Sequence, residues 1–228
     1  MLGVLTLDTA FPRIPGDVGC AETFAFPVRI AVVGGASVEA VVHHPRDALL
    51  PAFIDAGRKL AAEGCIGIAT TCGFLARWQG ELADALPVPV LTSSLLQVPL
   101  VLRTLPRGRS AGIVTYSAAD MAPDVLVAAG VDPATPVAGV APHGCFARTI
   151  REGASVLDTR RMAADTVAAA RELVAARPDV GAIVLECANM PPYRADVQAA
   201  TGLPVFDAAQ LVAWFHAGVC AYGRADLW

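Results

Sequence analysis

Cys72 and Cys187 stand at matched places in this chain, each where an apolar run gives way to polar and small residues. Two thiols on opposite sides of a small molecule can move a proton on and off carbon. One, as thiolate, removes it from one face; the other, as thiol, delivers a proton to the opposite face; the reverse reaction swaps their roles. Free cysteine titrates near 8.5. A turn from strand into helix sets a cysteine beside unpaired backbone amides, which is expected to bring that value toward working pH. Both the Cys72-Gly73-Phe74-Leu75 run and the Cys187-Ala188-Asn189-Met190-Pro191-Pro192 run have the composition of such a turn. The prolines of the second suit a first helical turn.

The elements that must carry them read as an α/β protein. Continuous apolar runs at 2–7, 29–33, 65–70, 88–91, 110–115, 180–185 and 203–206 predict strands buried on both faces. Leu49, Phe53, Ala56 and Leu60 form a helical stripe within 47–63, 160–176 is alanine-rich with its charges on one face, and 121–129 ends at Gly130. Strand–helix alternation predicts mostly parallel sheets. The stretch 11–27, rich in proline and glycine, reads as an ordered loop over the end of the first strand.

An internal repeat organises these elements. The run Gly3-Val4-Leu5-Thr6-Leu7-Asp8 echoes Gly112-Ile113-Val114-Thr115-Tyr116-Ser117, and 66–72 echoes 181–187. Seventeen residues separate Cys72 from Pro89, and seventeen separate Cys187 from Pro204. Two copies of one unit predict two pseudo-symmetric lobes, 1–96 plus 208–228 and 97–207. The site lies in the cleft between them, with one cysteine at the C-terminal end of a strand in each, the edge where open α/β sheets bind ligands.

Other features narrow the functional classes. The chain has 228 residues, 55% hydrophobic and 17% charged, with formal net charge −4 and no basic run, which argues against a nucleic-acid surface. No apolar run reaches the roughly 18 residues of a membrane span, and the N-terminus lacks a basic signal-peptide region, so a cytoplasmic protein is expected. The six cysteines form no CxxC pair and are expected to be reduced, and no spacing supports zinc. The isolated cysteines Cys20, Cys65, Cys145 and Cys220 read as core packing. His43 and His44, read as strand neighbours, would point opposite ways and not share a metal ion.

Around the cysteines, Asp8 ends the first strand and could orient Cys72 or bind a substrate amine, or simply cap a loop. Thr115, Tyr116 and Ser117 end the equivalent strand. Their hydroxyls, with the amides of Gly73 and Ala188, could cradle a carboxylate or enediolate. Glu186 could polarise Cys187, but strand alternation predicts that its side chain points to the opposite face. Arg13 could meet a substrate carboxylate, though a solvated loop arginine is the plainer reading. Phe74 lines an apolar pocket or faces the core.

With these motifs the sequence resembles the aspartate/glutamate/hydantoin racemase superfamily over nearly its whole length. The resemblance rests on the opening Gly-x-x-x-x-Asp strand, Ala-Thr-Thr-Cys-Gly-Phe and above all Leu-Glu-Cys-Ala-Asn-Met-Pro. It implies a cofactor-independent racemase or epimerase of an amino acid or related small carboxylate, an isomerase with Cys72 and Cys187 as acid–base pair. It also implies no pyridoxal phosphate, no metal, a C-terminal helix returning to the first lobe, and dimerisation as a possible assembly. Glutamate racemases carry Asn-Thr where Gly73 and Phe74 stand, and histidine where Asn189 stands, so glutamate is a doubtful substrate. Tyr116 is similar in place to a tyrosine of relatives that bind arylmalonates, although those decarboxylases keep only the second cysteine. A maleate-type cis–trans isomerase with a nucleophilic cysteine is the enzymatic alternative. A non-catalytic small-molecule sensor on the same fold is the alternative from another class.

Overall fold

The computed structural model describes residues 1–220. Two four-stranded parallel sheets are flanked by helices, and their strand orders match: β2-β1-β3-β4 in the first and β6-β5-β7-β8 in the second. The strands are β1 Leu2–Leu7, β2 Val28–Val33, β3 Ile68–Thr70, β4 Val90–Leu91, β5 Ser110–Thr115, β6 Val137–Gly139, β7 Val180–Leu185 and β8 Val205–Phe206. The repeat read from the sequence is therefore a repeat of topology, with β1 equivalent to β5 and β3 to β7. Only β6 has no counterpart among the expected strands. Its three half-buried residues, including Ala138 and Gly139, carry too weak a β signal.

The helices are α1 Leu50–Ala62, α2 Gln79–Ala85, α3 Val98–Thr104, α4 Pro123–Ala128, α5 Cys145–Glu152, α6 Thr159–Ala176, α7 Arg194–Thr201 and α8 Ala208–Val219. On α1, Phe53, Gly57 and Leu60 are buried, so the leucine/phenylalanine stripe faces the first sheet. Helix α6 opens on Asp158, whose side chain accepts from the Arg161 amide, and α8 on an Asp207–Gln210 capping box. Helix α8 packs Ala208, Leu211 and Val212 against Leu2, Val4, Ala69 and Leu91 of the first sheet. Residues 221–228 of the expected first-lobe segment lie outside the described residues. Among the described residues, no helix is long and apolar enough to cross a membrane.

A large core cluster runs through both sheets, joining Leu5, Phe53 and Ile68 to Ile113, Ile183 and Leu185. The halves also meet through polar contacts. Ser94, in a short 3-10 turn after β4, donates to the carbonyls of Leu185 (2.9 Å) and Glu186 (3.0 Å), where β7 ends in the other half. That hydroxyl pins the end of β7 against the first sheet.

Candidate active site

Each cysteine comes two residues after its strand ends, as the repeat predicts. Cys72 stands beyond β3 and Thr71, and caps a short 3-10 segment, Gly73–Trp78. Cys187 stands beyond β7 and Glu186, ahead of a 3-10 turn opened by Pro191 and Pro192 and continued by α7. Both thiols border one narrow cavity between the two halves, lined also by Phe11, Arg13, Phe74, Tyr116, Glu186 and Asn189. Phe74, for which pocket and core were both open, lines this cavity while its ring is almost fully buried.

The electrostatics differ from the sequence expectation. Burial, reinforced by the negative charge of Glu186, pushes the Cys72 thiol up to about 12, and the amides of Phe74 and Leu75 and the charge of Arg13 offset only part of that. Cys187 is raised well above its ordinary value by the same two causes. The helix-end amides expected to lower both are present at Cys72. They are outweighed because a thiolate buried in mostly apolar surroundings loses more solvation than two or three amides restore.

Glu186 overturns another expectation. Its side chain does not point away: it lines the cavity, 1% exposed. The amide of Glu186 still pairs with the carbonyl of Val114 (2.8 Å), yet strand β7 has ended, and strict alternation with it. Oε2 accepts from the Thr115 hydroxyl (2.7 Å), while Oε1 has no hydrogen-bond partner. The carboxyl lies over Gly73, where an added Cβ would come within 2.0 Å of Oε1, so only glycine leaves room for it. Burial pushes this carboxyl up to about 7, against the lowering bonds from Thr115 and the Tyr116 amide. One sequence signal pointed here: a lone acid at the end of a strand buried on both faces must find a partner or a purpose.

Arg13 is likewise inside. Its guanidinium lies 4.4 Å from the Phe11 ring centroid, donates to Thr9 (2.9 Å), and pairs with buried Asp17 (3.3 Å). Asp17 also accepts from the side-chain amide of Asn189 (2.6 Å), whose oxygen accepts from the Cys187 thiol (3.5 Å). A continuous chain of contacts thus links the loop over the first strand to the second cysteine.

The expected anion cradle does not form as drawn. The Thr115 hydroxyl is taken by Glu186, and that of Ser117 donates to Asp120 (2.5 Å). Ala188 is buried among Leu2, Val4 and Val18 and does not border the cavity. Asp8 is exposed and accepts from the Gly35 amide (3.4 Å), because β1 turns Leu7 and Thr9 inward and Asp8 between them outward. Gly73, Tyr116 and Asn189 do line the cavity.

His43 stands behind the cavity-lining Tyr116 without lining the cavity itself, and the Glu39–His43 segment is a short helical turn instead of a strand. Its Nδ1 faces Asp120 (2.8 Å) and its Nε2 the Tyr116 hydroxyl (3.2 Å), while His44 turns away to Glu39 (2.6 Å). With Asp120 accepting from Nδ1–H, Nε2 accepts from Tyr116, a Tyr–His–Asp relay between the two halves. Nothing in the local sequence marks this pairing, since its members are 73 to 77 residues apart.

The profile of the Asp/Glu/hydantoin racemase family matches residues 25–215. A dimethylsulfoniopropionate lyase of Durusdinium sp. clade D is 30% identical over 226 residues, 95% of this chain and 74% of that protein. Dimethylsulfoniopropionate lyase 7 of Emiliania huxleyi is 32% identical over 91% of this chain, which spans 63% of it. The chain spans 44% of another, lyase 5 of the same organism. Among solved structures, a sulfate-associated mutant of arylmalonate decarboxylase superposes with TM-score 0.65 at 19% identity, covering 97% of this chain and 94% of that one. Allantoin racemase from Pseudomonas fluorescens does so with TM-score 0.62 at 18% identity, covering 96% and 90%. Family and relatives together mark an enzyme of the racemase or lyase kind.

Proposed function

The chain belongs to the Asp/Glu/hydantoin racemase family, and on that premise we propose that it removes the proton α to the carboxylate of a small substrate, with Cys72 and Cys187 as its acid–base pair. The observation that carries this reading is the meeting of both thiols, one from each half, on one narrow cavity. A carbanion beside a carboxylate is formed only where a base is held against the carbon and solvent is excluded. In this reading Arg13, on the cavity wall and held there by Asp17 and Thr9, is the cation that a substrate carboxylate would approach. Phe11, Phe74 and Tyr116 supply apolar walls.

The fate of the carbanion depends on the substrate's β-carbon. If that carbon bears a good leaving group, the electron pair left on the α-carbon forms a double bond and the β bond breaks. For a dimethylsulfonio group the products are dimethyl sulfide and an unsaturated acid, with the proton left on the cysteine. The names of the curated relatives favour this elimination. If the β-carbon bears no leaving group, the opposite thiol returns a proton and the centre is inverted. The presence of two thiols, where an elimination needs one base, favours this racemisation or epimerisation of an amino acid or related carboxylate.

The test is incubation in heavy water with dimethylsulfoniopropionate and with a panel of amino acids, hydantoins and 2-substituted acids, monitoring α-deuterium and sulfide release. The α-deuterium readout should fall by about 10²–10⁴-fold in both Cys72→Ser and Cys187→Ser, and sulfide release by as much in the one of them that removes the base. Turnover that survives both substitutions removes the cysteines from the mechanism. A wild type inert to the whole panel transfers the weight to a maleate-type isomerase or to a ligand sensor.

A further inference from the structure

Glu186 shares the cavity with the two thiols in a way that the acid–base pair alone does not explain. It immediately precedes Cys187 in sequence and lies in space over Gly73, the residue next after Cys72. One carboxyl oxygen is held by Thr115 and the other is unpartnered, in a carboxyl that lines the cavity. The remaining charged groups of the cavity wall are already matched: Arg13 is paired with Asp17, and Asp17 with Asn189. A buried, unpaired carboxylate costs several kcal/mol and is kept only where it is used. Its charge opposes ionisation of both cysteines. A thiolate and an ionised Glu186 therefore exclude one another in this cavity, and the site holds one negative charge that either group can carry.

We propose that Glu186 is the proton partner of the cysteine pair, taking the thiol proton on Oε1 as a thiolate forms and returning it when the thiolate is discharged. The inference rests on the reading of Cys72 and Cys187 as acid and base. The exchange is balanced: Cys–SH and Glu–COO⁻ become Cys–S⁻ and Glu–COOH, with no change in net charge and no proton drawn from bulk water. Thr115 and the Tyr116 amide hold Oε2, so that Oε1 is the oxygen left to act. Gly73 supplies the gap that lets it do so. After an elimination, in which the base ends protonated, the same oxygen resets the cysteine.

Glu186→Gln leaves the thiols with no neighbour to exchange a proton with. The experiment is iodoacetamide alkylation of the whole, substrate-free protein across pH, with Cys72 and Cys187 quantified separately by peptide mass spectrometry and the fold checked by thermal melting. Once Glu186 is ionised, forming a thiolate in the wild type only moves a proton on to the carboxylate, so the alkylation rate should stop rising with pH above about 7. In Glu186→Gln the thiols exchange only with solvent, and the rate should go on rising with pH, to at least about tenfold above wild type near pH 8.5. Parallel pH profiles in the two proteins overturn the proposal. If the cavity is closed to the reagent, the ultraviolet absorbance of thiolate, corrected with Cys72→Ser and Cys187→Ser, gives the same two profiles. No substrate enters either measurement, so an inert substrate panel counts against the proposed reaction and leaves this result standing. Conversely, proton exchange from substrate with unchanged alkylation in Glu186→Gln retains the cysteines and removes the glutamate.

Discussion

In the first half of the repeat the residue after the cysteine is Gly73; in the second it is Ala188. Topology makes the two positions equivalent, yet their surroundings are opposite. Over Gly73 lies the carboxyl of a residue from the other half; around Ala188 lie Leu2, Val4 and Val18. The polar supply is divided in the same way. The first half contributes a cation, Arg13 with its partner Asp17, and the second an anion, Glu186 with its partner Thr115. Cys72 is approached by two amides and the field of Arg13, whereas Cys187 donates to Asn189. A duplicated fold thus places two thiols symmetrically while unlike side chains make their chemistry unequal.

The sharpest way to break this contrast is to exchange the two small residues. Gly73→Ala drives a methyl into Glu186 and should lower turnover by about 10²-fold or more, as misplacement by about 1 Å in an active site does. Steady-state kinetics on whichever substrate reacts will measure it. Activity unchanged in Gly73→Ala would mean that the carboxyl moves aside freely. The reciprocal Ala188→Gly belongs at the small end of the scale, about 1 kcal/mol of stability from added backbone freedom and a lost buried methyl, read by denaturant melting.

Between them lies the pH dependence of stability. The folded state raises the Glu186 carboxyl from 4.5 to about 7. A raised acid binds its proton more tightly folded than unfolded, so its favourable contribution is complete below about pH 4.5 and fades as pH rises through about 7. By linkage the change is about 3 kcal/mol. Denaturant titrations of wild type and Glu186→Gln at pH 5 and pH 8 should show the variant gaining on wild type at the higher pH. A constant gap between them would contradict the buried, unpaired state of this carboxyl. Breaking the cationic half gives a smaller effect. Asp17→Asn strips Arg13 of its buried partner and should cost about 2 kcal/mol, with a weaker hold on Asn189. Smallest of all is a difference of order: in the free protein Cys72, which has two backbone amides and the charge of Arg13 to favour its thiolate where Cys187 has one amide, should be alkylated first.

The repeat, the parallel α/β class and the position of both cysteines just past their strands were legible in the chain because they are local. Apolar run length and β-branched content mark strands, and an equal interval from cysteine to the next matched proline marks the duplication. The placement of Glu186, Arg13 and His43 was not legible, and the role given to Asp8 did not hold. Alternation along a strand predicts which way a side chain points only while the strand lasts. Glu186 sits just past the end of β7, where Ser94 from the other half pins the chain and Gly73 leaves the space that the carboxyl fills. By itself, then, the sequence determined two α/β units and a thiol at the edge of each. The tertiary structure alone decided which charged groups share the cavity with those thiols. Their burial and partners depend on contacts across the two halves, as with Gly73 and Glu186 or His43 and Asp120, and no local pattern of residues encodes such a pairing.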